Sequence, residues 1–139
     1  MVPVIMMDTD DMSAMTKIMT RMLELIQTLA TIAQQDPEWS LQVVIVTCGS
    51  EGPMSDDGNE PSIIMGAGSV WGMMRTARME IPSRVAITCM DTDPAVMRAG
   101  DGDMLRSQLR DEVTNAGNDS TEVAYRHGVR CCRKLQPSV

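Results

Sequence analysis

Leu41-Gln42-Val43-Val44-Ile45-Val46-Thr47 is an almost unbroken run of β-branched residues. A strand with apolar side chains on both faces has no solvated side, so it belongs in the middle of a sheet covered above and below. That requirement narrows the fold before any other segment is read. A second run, Val85-Ala86-Ile87-Thr88-Cys89-Met90, has the same character, and a shorter one, Val2-Pro3-Val4-Ile5-Met6-Met7, opens the chain. Parallel strands cannot be joined by a tight turn and need a crossover, usually a helix. The intervening sequence supplies one each time.

Between the first two runs, Met15, Ile18, Met19, Met22, Ile26, Leu29, Ala30 and Ala33 fall on one helical face, predicting an amphipathic helix over roughly 12–34. Asp36-Pro37-Glu38 breaks it. Before the third run, Val70, Trp71, Met74, Ala77 and Ile81 form a second stripe, extended backwards by Ile63 and Ala67. Ser69, Arg75, Thr76 and Arg78 are expected on the opposite, solvated face. Pro82 ends this helix, because proline disfavours the helical state of the residue before it.

Met90-Asp91-Thr92-Asp93 repeats Met7-Asp8-Thr9-Asp10 residue for residue. Both read as one device, a strand end passing into a helix start, with acidic caps and with Pro94 suited to a first turn. Gly100-Asp101-Gly102-Asp103 reads as a turn and cap, and is too short for a calcium loop. Leu105, Leu109 and Val113 mark a short helix that ends at Ala116-Gly117-Asn118-Asp119. Glu122 to Arg126 and Val129 to Leu135, joined by His127-Gly128, predict a β-hairpin. The order β-α-β-α-β-α-β-β predicts an α/β fold over residues 1–139, a single domain with a mostly parallel sheet, helices on both faces and a C-terminal β-hairpin.

Charge and composition remove whole classes of function. With 12 basic and 19 acidic residues the net charge is 12 − 19 = −7, which argues against nucleic acid or an anionic membrane as a partner. The N-terminus lacks the pattern of a signal peptide and no apolar run is long enough to span a bilayer, so a cytoplasmic location is expected. Phe is absent and Met numbers 15, so methionine takes over as gap-filling core residue. The alternative is a methionine-rich protein-interaction module. The cysteines, Cys48, Cys89, Cys131 and Cys132, lack metal or disulfide spacing and read as reduced thiols. Cys48 to Ser62 is polar, rich in Gly and Pro, and is expected to be a mobile loop.

Four stretches invite a chemical reading. Gly66-Ala67-Gly68-Ser69-Val70-Trp71-Gly72 approaches the dinucleotide fingerprint G-x-G-x-x-G, but Trp71 stands where the third glycine belongs and the glycines sit in a helix. Close packing of that helix explains them better. Val4 to Asp10 resembles the strand and D-x-D opening of haloacid-dehalogenase-like phosphatases. Asp8 would be nucleophile, Asp10 general acid, Thr47 the phosphate-binding hydroxyl and Mg²⁺ the metal. The lysine of that constellation is missing, since only Lys17 and Lys134 are present. Gly100 to Asp103 is the turn described above. Arg126, His127, Arg130, Arg133 and Lys134 form a basic cluster that reads as a solvated strand face. No Ser-His-Asp set and no metal site assembles, so no catalytic residue is expected.

Trp71-Gly72-Met73-Met74-Arg75-Thr76-Ala77-Arg78-Met79-Glu80-Ile81-Pro82, followed by the strand Val85 to Asp91, resembles a segment of the ketoreductase domain of polyketide synthases. That segment, Trp-Gly then Arg-x-Ala-x-x-Glu-x-Pro, lies in the N-terminal structural subdomain. Glu122-Val123-Ala124-Tyr125-Arg126-His127-Gly128-Val129-Arg130 is similar to the family's Glu-Val-Ala-x-Arg-x-Gly-x-Arg hairpin. Val43 to Gly49 is similar to its strand ending in Thr-x-Gly. The likeness runs from about Val2 to Pro137 and extends to the pseudo-ketoreductase of fatty acid synthases.

The resemblance implies a truncated Rossmann-like subdomain that carries no cofactor. It would dock onto a catalytic subdomain holding NADPH and the Lys, Ser and Tyr that reduce a β-ketoacyl group, none of which lies in this chain. It further implies a structural signature of Trp71, Gly72, Arg75, Ala77, Glu80 and Pro82. A partner surface would comprise Val123, Tyr125, Arg126, Val129 and Cys131. The expected partners are that catalytic subdomain or other synthase domains, with no nucleic acid, membrane or small-molecule substrate.

Overall fold

In a computed structural model the described residues are 4–6, 12–49, 65–114 and 120–132. Five strands form one sheet in the order β1 (Val4–Met6), β2 (Leu41–Cys48), β3 (Val85–Thr92), β4 (Glu122–Arg126), β5 (Val129–Cys132). The first four are parallel and β5 returns antiparallel beside β4. The mostly parallel sheet and terminal hairpin are as the sequence predicts. The turn has the positive φ angles of a tight hairpin, 50° at His127 and 75° at Gly128.

The continuous apolar strands serve two cores. Val43, Ile45, Ile87 and Cys89 point to one face, where α1 (Met12–Gln35) and α2 (Met65–Glu80) cover them with Met22, Leu29, Ala33, Val70, Trp71, Met74 and Ala77. Val44, Val46, Met90, Val123 and Tyr125 point to the other, packed by Leu105, Leu109 and Val113 of α4 (Gly102–Thr114). Alternate residues of one strand thus enter different cores, as a period of two requires. Asp36 closes α1, its carboxylate accepting from the Glu38 amide at 3.0 Å. Between β3 and α4 lies the short α3 (Pro94–Ala99), capped by Asp93, with Pro94 in its first turn and Gly100 left-handed at its end. The second Met-Asp-Thr-Asp copy is therefore a strand end and helix cap, while the first lies outside the described residues.

Strand order never reverses, yet the covering helix changes face between β2 and β3. The β3-to-β4 crossover therefore has the opposite hand from the two before it, so one of the two hands is the rare one. The chain leaves the carboxyl ends of β2 and β3 toward opposite faces, which in an open α/β sheet opens a ligand crevice.

Two local expectations change. A Cβ on Gly72 would meet nothing within 4 Å, so close packing does not account for that glycine. Arg78 is not on a solvated face: its guanidinium turns back to the sheet, with Nε donating to the Ile87 carbonyl at 2.8 Å. Ile63 and the Cys48-to-Ser62 loop beyond Gly49 lie outside the described residues.

Gly49 ends β2 with φ 65°, and a Cβ there would sit 2.7 Å from Pro94 Cγ. Gly49→Ala combines left-handed strain with a clash against a rigid ring, so it is expected to cost about 1–3 kcal/mol. A lowered urea midpoint at unchanged slope is the expected reading.

Candidate functional site

The crevice between β2 and β3 is occupied by the chain's own polar side chains. Asp91, near the end of β3, is 0% exposed. Its carboxylate receives Arg126 Nη2 and the Thr47 hydroxyl, each at 2.5 Å. Arg126 Nη1 also donates to the Tyr125 carbonyl at 2.7 Å and to the Thr92 carbonyl at 3.3 Å. Trp71 reaches down from α2, its indole N–H donating to Thr47 Oγ1 at 3.2 Å. On the other side of the sheet Thr92 donates to Gln108 Oε1 of α4 at 2.9 Å. One contiguous network therefore joins β2, β3, β4, α2 and α4.

Asp93 closes the mouth. Its carboxylate accepts the Ala95 amide at 2.9 Å and the His127 amide at 3.0 Å, tying α3 to the hairpin turn. Desolvation opposes its ionisation, but these two amides and the positive charge nearby outweigh it and hold the carboxyl below its usual range. The Gly49 amide meets the Thr92 carbonyl at 3.2 Å, and Pro94 lies against Gly49. The crevice that topology opens is thus filled and lidded.

Two further networks clamp β4 from its two faces. Arg75 of α2 grips Glu122 at both carboxylate oxygens, 2.7 and 2.9 Å, and Arg78 adds a contact at 3.2 Å. Those arginine hydrogen bonds lower the Glu122 pKa despite partial burial. Arg78 also donates to the Cys89 sulfur at 3.2 Å and the Thr121 carbonyl at 3.0 Å. Burial still pushes the Cys89 thiol up to about 11. On the α4 face, Glu112 accepts from the Tyr125 hydroxyl at 2.7 Å and from Arg130 Nε at 2.6 Å. Burial and that carboxylate raise the Tyr125 pKa, and Glu112 holds Arg130 firmly protonated.

The structure therefore rearranges the expected site. Trp71 and Ala77 lie in the core, and Arg75 pairs with Glu122. Pro82 caps a turn, its carbonyl accepting the Val85 amide at 2.9 Å. Glu80 is exposed on the last turn of α2, and no described residue pairs with it. Val123, Tyr125 and Arg126 are buried inside this chain, because β4 lies between two other strands with helices on both sides. They cannot themselves form a partner surface. Of that set, Val129 is 61% exposed and Cys131 is half-buried.

The basic hairpin cluster is likewise not a free solvated face, since Arg126 is paired with Asp91 and Arg130 with Glu112. Arg133 and Lys134 lie outside the described residues. Thr47 is not available as a phosphate-binding hydroxyl, being buried between Asp91 and Trp71. Asp8 and Asp10 lie outside the described residues. Among the described residues no three of His, Cys, Asp and Glu converge as metal ligands, and no helix is long and apolar enough to cross a membrane.

Arg78, Asp91, Glu112 and Glu122 were not among the expected site residues. Asp91 carried a signal, a carboxylate in an otherwise apolar strand with an arginine in the next strand along. Glu112 carried none, because nothing in the local sequence separates it from solvated Asp111.

Asp91→Asn leaves Arg126 buried without its counter-charge and is expected to destabilise by roughly 3–5 kcal/mol. In denaturant titrations Asp91→Asn with Arg126→Met should lose less than Asp91→Asn alone. A second expectation concerns acid. Glu122 and Asp93 have folded-state pKa values below 4.5 and 3.8. Their contribution is complete above those values and is lost as pH falls through the lower folded ones. Urea midpoints should drop as pH falls below about 4.5, and Glu122→Gln should flatten that fall.

A family model described as polyketide synthase extender module SpnB, Rossmann fold domain, matches residues 1–135. No curated protein and no solved structure matches the chain.

Proposed function

The chain belongs to the family of polyketide synthase extender-module Rossmann-fold domains, and from that premise we propose that it is the non-catalytic structural subdomain of a ketoreductase. In this reading it binds no NADPH and stabilises a separate catalytic subdomain by docking against it. The observation that carries the reading is the filled crevice. A dinucleotide needs an open mouth at the carboxyl ends of the strands, with backbone amides free for its phosphates. Here Asp91, Arg126, Thr47 and Trp71 take up the space, and Pro94 packs on Gly49 over it.

The docking surface proposed is the outer edge of β5. It is the last strand in the sheet order, so its outward backbone groups lack a strand partner among the described residues. Such an edge is a template for strand addition. Val129 and Cys132 are exposed along it. Val123, Tyr125 and Arg126 act from behind, through the pairs Val123 to Cys132, Tyr125 to Arg130 and Arg126 to Val129 that hold the hairpin in register. The catalytic subdomain would supply NADPH binding and all of the reduction chemistry.

Calorimetric titration of the purified chain with NADPH should give no binding heat, and NADPH should not be oxidised. The chain should raise the thermal midpoint of a separately produced ketoreductase catalytic subdomain, and Val129→Asp should abolish that gain without lowering its own midpoint. Micromolar NADPH binding, or a catalytic subdomain indifferent to stoichiometric chain, would overturn the reading.

A further inference from the structure

Hydrogen-bond parity decides which backbone groups β5 turns out of the sheet. The Cys89 amide donates to the Thr121 carbonyl at 2.8 Å, so Thr121 turns its backbone groups toward β3. Successive residues of a strand alternate, so Val123 and Tyr125 also face β3, whereas Glu122, Ala124 and Arg126 face β5. Opposite Ala124 and Arg126 stand Cys131 and Val129. Those two are bonded inward, to β4. Arg130 and Cys132 therefore point their amides and carbonyls outward, where no strand meets them among the described residues.

Side chains follow the same alternation. Arg130 and Cys132 lie on the α4 face, where Arg130 grips Glu112 and its Nη1 donates to the Cys132 sulfur at 2.9 Å. Cys131 lies on the opposite face and is half-buried.

This edge is self-complementary. Antiparallel pairing of two copies about a two-fold axis through Cys131 sets Arg130 of each opposite Cys132 of the other. Outward groups then meet outward groups at both pairs, and each pair exchanges both its hydrogen bonds. A shift of one residue would set outward groups against inward ones. A shift of two would put Arg130 or Cys132 on the axis and pair the other with a residue beyond β5. On the axis, Cys131 meets its own copy in a non-hydrogen-bonded pair, where Cα atoms approach to about 4.5 Å. That lies within the roughly 4.4–6.8 Å that a disulfide spans. The two Cys132 residues stand diagonally, about 7–8 Å apart, too far to be bridged. The two Arg130 residues are also diagonal, but each is neutralised by its own Glu112.

We propose that the β5 edge pairs with the β5 edge of a second copy of this chain, and that Cys131 joins the two by a disulfide at the axis. Four residues of strand are far fewer than the roughly 20–30 residues a side of a stable interface, so the pairing is transient until the bond captures it. The oxidant is a low-molecular-weight disulfide. The Cys131 thiolate of one copy attacks it and releases one thiol, and the Cys131 thiolate of the other attacks the mixed disulfide and releases the second. Two protons and two electrons thus leave the cysteines for the reagent. The inference rests on the free edge and not on the ketoreductase reading. A catalytic subdomain on this edge would exclude the second copy, and the test below contains none.

The purified chain is incubated with glutathione disulfide and run on a non-reducing gel. A dimer band should form, be lost in Cys131→Ser and persist in Cys132→Ser, although Cys132 is the more exposed thiol. Cys131→Ala serves if Cys131→Ser fails to fold. Hydrogen exchange on the linked dimer should slow the Arg130 and Cys132 amides relative to the reduced monomer and leave those of Val129 and Cys131 as they were. Absence of a dimer overturns the proposal. So does a dimer that Cys132→Ser abolishes, or one whose Arg130 and Cys132 amides exchange as in the monomer.

Discussion

Everything at the carboxyl end of this sheet depends on the ion pair between Asp91 and Arg126. Neither residue can be exposed, because their strands lie between helices on both faces. Each ion alone would carry a desolvation penalty of several kcal/mol, and only good geometry with supplementary hydrogen bonds compensates. That condition explains the surrounding residues. Thr47 and Trp71 supply donors on one side, and the carbonyls of Thr92 and Tyr125 take the remaining guanidinium protons. The pair therefore specifies five elements at once, which an apolar pair of the same volume would not do.

The sheet has two unlike ends as a result. Its carboxyl end, where this class of fold ordinarily receives ligands, is packed with internal charge and covered by Pro94. Its amino end holds an open groove lined by Gln42, Ala86, Thr88 and Glu112. Among the described residues the open volume thus lies at the opposite end of the sheet from the packed polar network.

How far the sequence spoke depended on whether the physics was local. The run Leu41 to Thr47 announced a doubly covered strand, and the stripe from Met15 to Ala33 a helix, because periodicity records which side chains face apart. The hairpin was legible at His127-Gly128 because positive φ angles select such residues. Arg78 was misplaced because the helical wheel reports where Cβ points, whereas a long side chain can bend back over its own helix to reach Ile87 and Glu122. Tyr125 and Arg126 were read as surface because their buried partners, Glu112 and Asp91, lie 13 and 35 residues away. Contacts of that range leave no mark on either segment alone. The family signature Trp71 to Pro82 turned out to mix core anchors with Glu80, for which the structure offers no packing role.

The clamps on β4 show why so short a strand needs charge at all. β4 has five residues, and its register against β3 rests on Glu122, Val123 and Ala124. A slip of one residue would turn every side chain to the opposite face, and hydrophobic burial alone resists this weakly, since both faces are apolar. Polar partners do not tolerate it. Glu122 must face α2 to meet Arg75 and Arg78, whereas Tyr125 must face α4 to meet Glu112. Exchanging the faces would take Glu122 from both of its arginines, leaving a largely buried carboxylate unpaired at a cost of several kcal/mol, and would take the Tyr125 hydroxyl from Glu112. The charge pairs thus set the register, and the register sets where β5 presents its outer edge.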